Sequence, residues 1–274
     1  LGAGSSMADY RIGFKWWALI IAVVFVISKL VCVACVPERP VACDEKPGKI
    51  SDMFKALFKN DQAMTVVVSI ILVYTSLNIC GNLVLYFFRF DVGNEGAYSI
   101  FAAVAFAAQV LVMMVIPLLR KRFSKSQLFI SGFIIQIAGF AVILIMAFAK
   151  LYTPQSWYIL CLPGILIYLG YGMLNVIMTI FLSDSVDYGE VMNGTREESV
   201  IFSMQTFTVK LASGIAVFLA GLVVDWINLD TAAAVQTQDT LDALRMWMTF
   251  PSVILLIVGI FVFKRFYKLD DTRM

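Results

Sequence analysis

Histidine is absent from the 274-residue chain, which removes the commonest metal ligand and general base. Charge is scarce too: Asp, Glu, Lys and Arg make up 15%, where a soluble domain carries about a quarter. Hydrophobic residues reach 61%, with a mean hydropathy of +0.87. These shortages exclude a soluble enzyme and point to a polytopic membrane protein lying in a lipid bilayer. The net charge of +2 is dispersed over several loops, so no nucleic-acid-binding patch is indicated. The five cysteines include Cys32-Val-Ala-Cys35, but a second CxxC pair is lacking, and with no histidine this spacing reads as small apolar filler in a helix. The opening has no signal-peptide order, and a start at Leu1 reads as the middle of a longer protein.

What the chain does have is seven apolar runs, at about 12–34, 64–90, 97–119, 127–149, 157–183, 200–227 and 244–264. Each approaches or exceeds the ~20 residues needed to cross a bilayer as a helix. Lys and Arg then set the orientation. They gather in 39–59, 120–125, 196 and 264–273, whereas the opposite loops hold Arg11, Lys15, Arg89, Lys150 and Arg245. The positive-inside rule makes the richer side cytoplasmic, with the N-terminus outside and the C-terminus inside. The expected setting is a plasma (inner) membrane. One helix, a charged linker and six helices are what a twelve-helix, two-half transporter keeps when its first five helices are removed. The domains would be 1–34, the last helix of an N-terminal half; 35–63, a cytoplasmic linker; and 64–274, a six-helix C-terminal half.

Lys210 is the most informative single residue. It lies about 16 Å along the sixth span at 1.5 Å per residue, near the midplane of a ~30 Å hydrocarbon layer. A lysine there costs about 2.5–3.5 kcal/mol unless water or a partner receives it. Ser199, Ser203, Thr206, Lys210 and Ser213 fall within about 80° on a helical wheel, while Ile201, Leu211, Ala212 and Leu219 form the opposite face. Such a stripe describes a helix lining a wet cavity; a structural pairing with a buried acid is the other reading.

Further polar groups recur inside the spans. The second has Tyr74, Thr75, Asn78 and Asn82, and the third Gln109. The fifth has Tyr168, Tyr171, Asn175 and Thr179 at helical spacing. Amides, hydroxyls and aromatic rings suit a sugar, whose hydroxyls need partners and whose ring faces stack on aromatics. The same residues also join helices by hydrogen bonds of about 0.6–2 kcal/mol. The last span offers Ser252 and little else and is expected to face lipid; the fourth has Ser131 and Gln136.

Between the fifth and sixth spans runs Asp184-Ser185-Val186-Asp187-Tyr188-Gly189-Glu190, read as a turn, then Arg196-Glu197-Glu198-Ser199, then Ser203-Met204-Gln205-Thr206-Phe207-Thr208-Val209-Lys210. This succession resembles the glycoside–pentoside–hexuronide:cation symporter family of the major facilitator superfamily over nearly thirty residues. Phe54 to Asn60 and Arg122-Phe123-Ser124-Lys125 resemble it more loosely. The resemblance implies an all-α membrane protein whose seven helices match helices 6–12 of a major facilitator fold. It implies sugar:cation symport by alternating access, with Lys210, Thr206 and Gln205 contributing to the sugar site. Tyr171, Asn175 and Asn78 are candidate lining residues. Asn175 stands where the family's best-known member has a tryptophan. Asp184, Asp187, Glu190 and Arg196 would form a cytoplasmic gate. No metal site and no cofactor are expected; the coupling cation (Na⁺, H⁺ or Li⁺) would bind in the N-terminal helices that precede this part.

Two other functions compete. A membrane enzyme could use Lys210 as nucleophile or base, but no Ser, His or metal cluster accompanies it. A seven-helix receptor-like protein could hold a Schiff base on Lys210, but it gives no role to the linker or to the D-x-x-D-Y-G-E segment.

Overall fold

The computed structural model describes residues 7–35, 58–193, 198–233 and 235–269. The chain divides into two compact units, Leu1–Gly48 and Lys49–Met274. In the first, α1 (Met7–Cys35) is a single apolar helix whose described side chains are exposed on every face. Among the described residues the second holds six long helices: α2 (Asp61–Tyr86), α3 (Ala97–Leu119), α4 (Lys125–Phe148), α5 (Cys161–Asn193), α6 (Glu198–Trp226) and α7 (Gln238–Phe266). All seven are long and apolar enough to cross a membrane, and they fall on the seven runs read from hydropathy.

Local chemistry fixes the ends. Ser124 and Gln127 form a reciprocal capping box that starts α4, and Asn60 and Thr237 cap α2 and α7 by accepting from Ala63 N and Thr240 N. Lys150 and Asn228 take left-handed conformations (φ 49° and 51°) just beyond α4 and α6. There Leu151 N and Leu229 N return to Met146 O and Val224 O, satisfying carbonyls the helices leave open. A π-helical turn, Phe87–Asp91, continues α2, and a 3₁₀ turn, Trp157–Leu160, leads into α5.

Within the bundle α2 packs against α6 and α7, and α5 against α3 and α4. Two glycines make the second arrangement possible. A Cβ on Gly170 would come within 2.6 Å of Gly132 O on α4, and one on Gly172 within 2.6 Å of Val112 Cγ1 on α3. They flank Tyr171, so α5 is gripped on both sides at the level of a candidate lining residue.

Two sequence expectations are overturned. Residues 182–190 are not a turn: α5 runs on to Asn193, because the acids of the segment sit at the end of a helix that has already left the apolar run. Nor does the last span simply face lipid. Its Ser252 is fully buried and exchanges hydrogen bonds with α2: Ser252 Oγ donates to Ser76 O at 2.8 Å, and Ser76 Oγ to Ser252 O at 3.0 Å.

Candidate functional site

Helix α6 presents three faces. The packed one is made of Ile201, Thr208, Ala212, Ala216, Ala220 and Val223, among which the three alanines let α6 approach α2 closely. A second carries Phe207, Leu211, Phe218 and Leu222, all large, apolar and exposed. The third holds Thr206, Lys210, Ser213, Val217 and Gly221, with Lys210 itself exposed. The expected single apolar face therefore splits. Ile201 and Ala212 are packed, but Leu211 and Leu219 are exposed (43% and 37%) because helix packing in a membrane selects small side chains, not large ones.

Helices α2 and α6 both start at the end of the bundle that carries Asp61 and Glu198. Tyr74 lies about 20 Å along α2 and Lys210 about 18 Å along α6, so both stand at mid-depth. At that level Asn175 Nδ2 donates to Tyr74 Oη, joining α5 to α2. The Tyr171 ring meets Tyr74 edge-on, with centroids 5.4 Å apart, and Tyr168 lies 6.4 Å from Tyr171. Asn78 Nδ2 donates to Tyr74 O and Asn82 Nδ2 to Asn78 O, each at 2.7 Å, so a ladder of amides climbs α2. One turn below Asn175, Thr179 Oγ1 accepts from Gln205 Nε2 at 3.3 Å, tying α5 to α6. Thr206 Oγ1 donates to Phe202 O. Tyr171, Asn175 and Asn78 thus belong to one connected polar surface. Gln205 is attached to its edge, and Thr206 and Lys210 stand on the open face of α6.

The gate candidates separate. Asp184 pairs with Lys125 Nζ at 2.7 Å, both side chains being nearly buried. Its partner is the first residue of α4, in the same six-helix unit. Asp187 and Glu190 are exposed on the last turns of α5, and Arg196 lies outside the described residues. Gly189 has a packing role that the motif alone did not reveal. A Cβ there would meet Asn60 Nδ2 at 2.9 Å, the atom that donates to Ser185 O at 2.8 Å.

The opposite end holds a cluster that sequence reasoning missed. Arg245, read as a loop charge, is 3% exposed within α7. Its Nε and Nη2 grip the two oxygens of Asp91 at 2.9 and 2.5 Å, and its Nη1 reaches Asp242 at 2.6 Å. Tyr152 donates to the same Asp91 carboxylate. Burial first, then the hydrogen bond and charge of Asp91, raise the Tyr152 phenol above its ordinary value. Asp91 and Arg245, one acid and one base at facing ends of neighbouring spans, were the available signal. Among the described residues no three His, Cys, Asp or Glu side chains gather as a metal site.

The chain is 25% identical over 245 residues to an uncharacterized symporter, YjmB, of Bacillus subtilis, covering 89% of this chain and 52% of the relative. It is 26% identical to the raffinose carrier protein of Pediococcus pentosaceus (94% of this chain, 40% of the relative). It is also 26% identical to the isoprimeverose transporter of Lactiplantibacillus pentosus (98% and 54%). The chain thus spans about half the length of the curated relatives it matches. The family model described as MFS/sugar transport protein matches residues 2–271, nearly the whole sequence, and the chain is a multi-pass membrane protein belonging to that family.

Proposed function

We propose that this chain forms the C-terminal part of a secondary active transporter that carries a sugar or glycoside together with a cation by alternating access. Residues 64–274 would be the six-helix C-terminal half, 35–63 the cytoplasmic linker and 1–34 the helix before it. The N-terminus lies outside and the C-terminus in the cytoplasm of a plasma (inner) membrane. N-terminal helices supply the other wall of the cavity and the site for Na⁺, H⁺ or Li⁺. The observation that carries this reading is the open polar surface at mid-depth: Tyr74, Asn175 and Tyr171 in contact, Asn78 above them, and Lys210 exposed on the facing side of α6. An intramembrane lysine left open in this way needs water, ligand or a second protein wall.

The roles follow from chemistry. Lys210 and Thr206 donate to sugar hydroxyls, the Asn78 and Asn175 amides offer both donor and acceptor, and Tyr74 presents ring surface, held from behind by the buried Tyr171 ring. Gln205 positions α6 against α5. At the cytoplasmic mouth Asp187, Glu190 and Arg196 form the gate, while Asp184, already paired with Lys125, fixes the end of α5 that carries it. No step in this account requires covalent catalysis by Lys210.

The test is cation-gradient-driven uptake of labelled glycoside into vesicles. Vesicles holding residues 1–274 alone are expected to take up none. Uptake should appear when the helices of an N-terminal half are present in the same membrane. Robust coupled uptake by residues 1–274 alone would show the half-transporter reading to be wrong.

A further inference from the structure

One amide at mid-depth is left unused. Gln109 lies about 18 Å along α3, is half-buried, and has no hydrogen-bond partner for its side chain among the described residues. An unpaired amide is costly in hydrocarbon, and bonding to a neighbouring helix, the ordinary use of such a residue, is not what Gln109 does. Elsewhere the exposed surface of α3 carries Phe106, Leu111, Met114 and Leu118, which suit lipid.

Two observations aim this amide at the polar surface. A Cβ on Gly172 would fall 3.2 Å from Gln109 Cγ and 3.0 Å from Gln109 O, so the stem of the glutamine lies over Gly172 of α5. Gly172 follows Tyr171 directly, and on the α5 wheel it is within about 60° of Tyr168 and Asn175. Independently, Gln109 is within about 20° of Tyr98 and Ala102 on the α3 wheel. Those two line a narrow crevice with Leu77 and Gly81 of α2 and Tyr168 of α5. The face of α3 that carries Gln109 therefore looks toward α2 and the α5 stripe, whereas Leu111, about 160° away, looks outward.

Helix α6 packs on α2, and α3 on α5. Gln109 and Lys210 thus stand at opposite borders of one polar surface, with Asn78, Tyr74 and Asn175 between them. The borders differ in chemistry. The Lys210 ammonium only donates, so it accepts any hydroxyl oxygen within reach. The Gln109 amide holds a donor and an acceptor side by side in one plane. That pair matches two neighbouring hydroxyls, one accepting and one donating, in one relative configuration.

We propose that Gln109 is a specificity-determining residue of the sugar site: its amide bonds two neighbouring hydroxyls on the side of the ligand away from Lys210, and so selects between epimers. The proposal rests on the sugar-transport reading and adds which wall of the cavity reads stereochemistry. Gly172 serves that wall, since a Cβ there would also press on Val112 Cγ1 at 2.6 Å and drive α3 off α5.

The test uses the protein with its N-terminal helices in membrane vesicles. Competition binding is measured for probe pairs that differ at a single hydroxyl: methyl α-galactoside and methyl α-glucoside, methyl α-glucoside and methyl α-mannoside, melibiose and isomaltose, lactose and cellobiose. Wild type should separate the members of a pair by about tenfold, the effect of two hydrogen bonds made to one member and not the other. Gln109→Met keeps the length and removes both polar atoms. It should weaken the preferred member by that factor, leave the other member unchanged and leave melting in detergent level. Leu111→Ala, on the outward face, should alter neither selectivity nor affinity. Selectivity retained in Gln109→Met, an equal loss for both members, or a wild type that binds probes without separating any pair would overturn the proposal while the sugar reading stands. Lowered melting with an equal loss would identify Gln109 as a contact to the N-terminal wall instead. Failure of the wild type to bind any probe would sink the sugar reading, and this proposal with it.

Discussion

The two sides of α2 carry the same kinds of residue and put them to opposite use. Toward α7, Ser76 and Ser252 close their hydrogen bonds on each other's backbone, and buried Ser69 donates to Thr65 O. Toward α5 and α6, Tyr74, Asn78 and Asn82 bond in a ladder that leaves each amide oxygen open. In a bilayer an unsatisfied polar group costs several kcal/mol, so an open ladder must border water, ligand or another protein wall. Hydroxyls and amides inside a span therefore do not by themselves mark a site; what marks it is hydrogen-bonding capacity that the fold has not used.

The comparison breaks most visibly where the closed side carries charge. Arg245→Ala would leave Asp91 buried and unpaired, at a cost of about 3–5 kcal/mol. Thermal unfolding in detergent should shift down sharply, while the sugar affinity of surviving protein changes less. Replacing both partners, Arg245→Met with Asp91→Leu, should recover most of the loss. The phenol of Tyr152 is held protonated, so unfolded tyrosine ionises first as pH rises past about 10. Stability should therefore decline above that pH and be restored in part by Tyr152→Phe. Unchanged melting in Arg245→Ala would remove the clamp from the account of stability.

Lys210→Ala should do the reverse. An exposed intramembrane cation contributes nothing to packing, so melting should hold or rise. Glycoside affinity should fall at least tenfold, about 1.4 kcal/mol, in the protein with its N-terminal helices. Lys210→Arg should rescue poorly, because a planar fork does not replace a compact ammonium. Phe218→Ala, on the large apolar face, is the control. If Lys210→Ala melts lower and binds sugar normally, the lysine belongs with Arg245 among structural charges.

These contrasts also explain what could be read in the sequence. All seven helices were legible, since hydropathy and length decide whether a segment crosses a bilayer. The stripes on α2 and α5 were legible too, because their spacing is helical and their surroundings apolar. Which residues face protein was not: Leu211 and Leu219 look like a packing face by the rule for soluble helices, whereas here Ala212, Ala216 and Ala220 pack. The Asp184–Glu190 segment has a loop's composition, yet it is helical, with Lys125 holding Asp184 and Gly189 admitting Asn60. Both depend on residues more than fifty positions away. Arg245 was hidden for the same reason, its partner Asp91 being 154 residues distant.

A smaller effect sharpens the closed side further. Ser252→Ala removes one donor from the reciprocal pair with Ser76, and hydrogen bonds between membrane helices average about 0.6 kcal/mol, reaching about 1.7. A modest fall in melting with unchanged sugar binding is expected. A selective loss of sugar affinity would instead connect the α2–α7 seam to the cavity and erase the distinction between the two sides.

Gln136 supplies the finest test, because it is polar and fully buried where α4 meets α5, yet neither its amide nitrogen nor its oxygen has a partner among the described residues. It lies in α4 where Gly170 of α5 comes closest, a Cβ on that glycine falling within 2.6 Å of Gln136 N. Removing one partner of a bonded pair is costly, but replacing a group that has no partner returns its desolvation penalty, about 1–3 kcal/mol at most. Gln136→Met keeps the length and removes both polar atoms. Melting should stay level or rise slightly, with sugar affinity unaltered, in contrast to Arg245→Ala and Ser252→Ala. A clear drop in melting would mean that Gln136 is bonded through a buried water, its capacity used after all, so that it belongs with Ser76 and Ser252 among the closed polar groups.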